Sequence, residues 1–102
     1  MLSGKEYDAV KENRYKEMKE AFDKVLKEYK GIPNIQGFQK AIRDTKNKIK
    51  ALENGLCFAK DDEEVRQAEV AMARRCGELQ VYTEIRSMVK KRIKEVCEKE
   101  SV

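Results

Sequence analysis

The chain has 102 residues, 40% hydrophobic and 41% charged, with 23 Lys and Arg against 19 Asp and Glu for a net charge of +4, and it contains no histidine and no tryptophan. That length suits one domain, residues 1–102, with a modest core. The charge excess is too small to demand a polyanionic partner, the missing histidine removes the commonest general base, and no apolar run approaches the ~20 residues that cross a bilayer.

So high a charged fraction is also a mark of disorder. Here the charges alternate with regular apolar seams instead of standing in blocks, which leaves enough apolar surface to bury. The first helix is expected over residues 4–30. Ser3 and Glu6 have the spacing of a capping box, in which the hydroxyl takes an orphan amide at the helix start. Its seam is Tyr15, Met18, Phe22, Val25 and Tyr29. Carried backwards, the same heptad lands on Asp8 and Lys11 with Tyr7 and Val10 displaced, so the first turns are expected to pack differently or fray. Lys30-Gly31-Ile32-Pro33-Asn34 is the stop: glycine for a left-handed terminal residue, isoleucine to fold back, proline to forbid continuation and asparagine to cap the second helix. So short a connection makes the two helices it joins antiparallel neighbours.

The second helix, residues 35–60, carries the most regular pattern in the chain. Ile35, Phe38, Ile42, Thr45, Ile49, Leu52, Leu56 and Ala59 follow at alternating steps of three and four, a 3.5-residue period that keeps one seam against a partner. The break falls at Lys60-Asp61-Asp62, where acids suit the positive end of a new helix.

The third helix, residues 62–99, is the longest. One stripe runs Val65, Ala68, Met72, Arg75, Leu79, Tyr82, Arg86, Val89, Ile93 and Val96; a second, of Val70, Gly77, Val81, Ile85 and Met88, lies on another side and suits a helix with two neighbours. Arg75 and Arg86 are expected to lay their stems over the seam with their heads in water. Gly77, costly in mid-helix by ~1 kcal/mol, marks a close helix crossing. The fold expected is all-α: three long helices in an antiparallel, up-down-up bundle with coiled-coil packing.

At 1.5 Å per residue the helices span roughly 40, 40 and 55 Å. The third helix then outreaches the others, which leaves Met88, Val89, Ile93 and Val96 as the surface for a protein partner or a second copy. The same arrangement puts Lys40, Arg43 and Lys46 at one end with Arg86, Lys90, Lys91, Arg92 and Lys94. That end is the site for the alternative reading, a nucleic-acid-associated protein. Asp61, Asp62, Glu63, Glu64 and Glu69 gather at the other end, and the whole distribution also complements the helix dipoles with no partner at all.

Cys57, Cys76 and Cys97 are too widely spaced for a disulfide framework or a zinc site. They read as reduced thiols, Cys76 buried and inert beside Arg74 and Arg75. With no apolar run of signal-peptide length at the amino terminus, the expected compartment is the cytoplasm. No glycine-rich phosphate loop, nucleophile elbow or dinucleotide fingerprint occurs. The expectation is a non-enzymatic interaction or adaptor module with no catalytic residues, no metal, no cofactor and no membrane contact.

Overall fold

The computed structural model describes residues 2–29, 31 and 33–100, and only the backbone of residue 100. Three helices account for nearly all of it: α1 (Gly4–Glu28), α2 (Ile35–Cys57) and α3 (Asp62–Glu100).

Each start is fixed by a side chain that satisfies an orphan amide. Ser3 Oγ accepts from the Glu6 amide at 3.1 Å, Asn34 Oδ1 from the Gln36 amide at 3.0 Å, and Asp61 Oδ1 from the Glu64 amide at 2.8 Å. Glu64 in turn reaches back past Asp61 to accept from the Lys60 amide at 2.8 Å. The first stop differs from expectation. No glycine among the described residues adopts a positive φ; Tyr29 ends α1 in an extended conformation, its amide still bonded to the Val25 carbonyl. The parts expected of Lys30 and Ile32 lie outside the described residues.

Direction is set by the pairs that join the helices. Leu2 meets Glu69, Tyr7 meets Cys76 and Tyr15 meets Glu84, so α1 and α3 run parallel, while α2 returns antiparallel between the two turns. The bundle is therefore all-α and up-down-up, 62 × 22 × 18 Å in extent. α3 is the central member, packing against both others. α1 and α2 make no close backbone approach to one another among the described residues, contrary to the adjacency expected from their short connection. They meet through side chains, the rings of Phe22 and Phe38 lying edge to face with centroids 6.1 Å apart and Tyr82 closing the group at 5.9 Å from Phe22.

The α2 seam is as expected. All eight of its residues are buried or half-buried, and of the other residues between Ile35 and Ala59 only Ala41 is not exposed. Thr45 tolerates burial because its hydroxyl donates to the Ala41 carbonyl at 2.7 Å.

On α3 the deepest positions belong to neither expected stripe alone. Ala73, Gly77, Val81, Ile85 and Val89 recur every four residues and form a ridge inclined to the axis. Both neighbouring helices reach this row: Leu26 of α1 and Ile35 and Phe38 of α2 pack with Val81, Ile85 and Val89. Val81, Ile85 and Val89 have no exposed surface, and burial of each contributes ~1.5–3 kcal/mol. The row is smallest where α1 comes closest: a Cβ built on Gly77 would lie 2.5 Å from the Lys11 carbonyl oxygen and 3.1 Å from the Tyr15 amide nitrogen.

The α1 seam departs from its heptad after Phe22. Leu26 is buried at 7% exposure and joins Val81, Ile85 and Val89 in the core, whereas Val25 and Tyr29 are 61% and 51% exposed. The heptad takes a step of three from Phe22 to Val25, whereas a step of four to Leu26 keeps the row on the buried side of a helix of ~3.6 residues per turn.

Candidate interaction surface

Val89, expected at a partner surface, is fully buried, and Met88 and Ile93 are half-buried against the core. The reason is reach: the last turn of α1 brings Leu26, and the first turn of α2 brings Ile35 and Phe38, onto this part of α3. The exposed end of α3 begins only at Lys94. From there to Lys99 every residue is exposed and four of the six are charged. Of the expected set Val96 alone is open, at 39%.

Val96 has neighbours that the sequence pattern does not assign to it. It lines a groove of about 660 Å³ with Leu26, Tyr29, Gly31 and Arg92, where the end of α1 lies beside the end of α3. Gly31 leaves room for the Tyr29 ring, 3.3 Å from where a Cβ would stand. Val25 lies one turn before Tyr29 on the same side of α1, since i and i+4 share a face. Three of the four large apolar side chains exposed among the described residues thus belong to one end of the molecule. The fourth, Phe58, is 81% exposed at the turn between α2 and α3 and lines neither this groove nor the one beside Arg43.

Arg43 and Lys46 border a groove that contains Cys76 and Leu79 of α3, whereas Arg92 borders the groove at the end of α1. Lys40, Lys90, Lys91 and Lys94 are exposed; Arg86 is half-buried and its Nε is buried without a hydrogen-bond partner. At the opposite end Asp61, Asp62, Glu63 and Glu64 are exposed, while Glu69 accepts from the Leu2 amide at 2.7 Å.

The groove beside Arg43 holds about 590 Å³. Ile42, Ile49, Cys76 and Leu79 give it an apolar floor, with Arg43, Lys46 and Lys50 along the α2 rim and Glu53 at one end.

Glu78 is the most consequential polar residue of the interior. It is buried at 7% exposure. Its Oε1 accepts from Arg14 Nε and its Oε2 from Arg75 Nη1, both at 2.9 Å, so one carboxylate ties α1 to α3 and neutralises the seam arginine. Arg75 is thus ion-paired instead of merely solvated. Its side chain keeps 39% exposure, against 25% for Arg14. A seam arginine followed three residues later by an acid was the available signal.

Two tyrosines also join α1 to α3. Tyr15 donates its hydroxyl to Glu84 Oε2 at 2.5 Å, a bond that stabilises the neutral phenol and raises its pKa. Tyr7 Oη lies 3.3 Å from Cys76 Sγ, and burial, followed by that contact, pushes its pKa up to about 12. Cys76 is half-buried, and Cys57 and Cys97 are exposed. Among the described residues no group of three His, Cys, Asp or Glu side chains is placed to hold a metal, and no helix is long and apolar enough to cross a membrane.

Comparison of the chain with protein-family models, with curated proteins and with solved structures gave no match.

Proposed function

We propose that the protein is a non-enzymatic helical interaction module that associates with a second copy of itself through the end where α1 and α3 finish side by side. The observation that carries this reading is that Tyr29 and Val96, exposed at 51% and 39%, line a single groove, with Val25, exposed at 61%, one turn before Tyr29 on the same side of α1. An isolated exposed side chain such as Phe58 is ordinary on any protein surface, but several at one place mark a contact. Covering each would contribute up to ~1.5–3 kcal/mol before the cost of association. The non-enzymatic part is supported by how the interior polar groups are used: Glu78 is taken up by two arginines and Glu84 by Tyr15, which leaves these carboxylates engaged in structure.

The nucleic-acid reading has weaker support. Arg86, one of the eight residues expected to contact an anion, has its Nε inside the protein, and Arg43 and Lys46 border a groove with an apolar floor that a nucleic acid would leave uncovered.

Light scattering across concentration tests the proposal. The expected mass rises above the 11.9 kDa of one chain and returns to it in Val25→Asp and Val96→Asp, with helicity retained because both positions are exposed. A native protein of one-chain mass throughout, or an assembly indifferent to both substitutions, overturns it.

A further inference from the structure

We infer that the groove between α2 and α3 is the seat of an acidic amphipathic helix from a protein partner. The inference rests on reading the chain as an interaction module, but it uses a different surface from the self-contact.

The floor is apolar. Ile42, Ile49, Cys76 and Leu79 come from two helices, and the groove they share is open along its length instead of closed as a cavity. Lining residues extend from Gln39 to Glu53 on α2, a run of ~21 Å at 1.5 Å per residue, or four turns. A groove of that form accepts a helix that lays down apolar side chains at i, i+3, i+4 and i+7.

The rim specifies the charge of that helix. Arg43, Lys46 and Lys50 recur at steps of three and four, so they point along one side of α2, and all three are exposed. No ion pair engages any of them among the described residues, although six such pairs occur elsewhere. A row of unpaired cations beside an apolar floor complements a helix whose apolar face is flanked by Asp and Glu. Glu53 at the far end repels an acid there, which gives the bound helix a direction: its acids lie opposite Arg43 to Lys50 and are absent from the turn opposite Glu53. A nucleic acid would gain from the cations but leave the apolar floor uncovered.

The probe is a helical peptide of about fourteen residues, matched to the four turns of the groove, with leucines on one face and glutamates on one flank. Its counterpart carries lysines in place of the glutamates. Binding is measured by fluorescence anisotropy to the full chain carrying Val25→Asp and Val96→Asp, so that the self-contact plays no part. The acidic peptide should bind at least roughly tenfold more tightly than the basic one, and the triple charge reversal Arg43→Glu, Lys46→Glu, Lys50→Glu should invert that preference. Helicity by circular dichroism should be unchanged in the reversed variant, since its three positions are exposed and outside the ion pairs of the described residues. Equal affinity for both peptides, binding of neither, or a preference that survives the reversal overturns the inference. So does displacement of the acidic peptide by a generic DNA duplex that binds more tightly through the same three residues. Failure here leaves the self-association proposal intact, and a failure of self-association is read in the separate mass measurement.

Discussion

Gly77 of α3 lies directly beneath the Lys11 carbonyl of α1, so close that a Cβ on Gly77 would come within 2.5 Å of that oxygen. The two helices are in backbone contact there, and larger side chains separate them farther along, at Val81 and Ile85.

Gly77→Ala should therefore destabilise the protein even though alanine is the better helix former. The propensity gain is ~1 kcal/mol, while overpacking against backbone that must shift costs ~1–3 kcal/mol. Gly55 in α2 has nothing within 4 Å of a built Cβ, so Gly55→Ala should gain up to ~1 kcal/mol. Urea midpoints for the two variants should move in opposite directions.

The exchange of Val25 for Leu26 at the end of α1 bears on stability in the same way. Leu26→Ala removes a buried side chain and should cost ~2–5 kcal/mol, whereas Val25→Ala should fall within ~0.5 kcal/mol of the parent chain. If Val25 proved the costlier position, the heptad read from the sequence would be the true register.

Glu78 should couple strongly to Arg14. A double-mutant cycle with Glu78→Gln and Arg14→Met isolates the pair from its surroundings. The expected coupling is ~1–3 kcal/mol, because Glu78 is buried while the arginine heads remain partly in water. The exposed pair of Lys16 with Glu12, at 3.3 Å, should give only ~0.3–0.5 kcal/mol in the same experiment.

Alkaline pH should weaken the bundle through Tyr7. Its pKa rises from 10.0 to about 12 on folding, so the folded state holds this proton more tightly than the unfolded state. The associated stability is complete below pH 10 and is lost as pH rises toward 12. Tyr15, raised in the same direction by Glu84, adds to the loss. Denaturant titrations across that window should show the decline, and Tyr7→Phe should flatten it. A parent chain with stability constant over the window would contradict the assignment.

The fold was legible in the sequence where one local pattern had one answer. The α2 seam from Ile35 to Ala59 and the caps at Ser3, Asn34 and Asp61 are of this kind, because periodicity and capping act within a few residues. Gly77 was legible for the same reason: a costly glycine inside a helix needs a close neighbour to justify it. What escaped depends on register between helices. Whether Val89 is covered is decided by where Leu26 and Ile35 arrive along α3, and no local pattern contains that distance. Arg43 and Lys46 were visible as cations, but their sharing a groove with Cys76 and Leu79 is set by the same unseen offset. Glu78 was hidden because its burial makes sense only once Arg14 is brought across from α1.

The proposed self-contact stands on the end of the molecule where Tyr29 and Val96 share a groove. Side-chain methyl and aromatic NMR shifts measured across protein concentration test it residue by residue. Val25, Tyr29 and Val96 should move together as concentration rises, while Phe58, the most exposed large apolar residue described and remote at the other turn, should stay still. Shifts confined to Phe58, or none at any concentration, would contradict it.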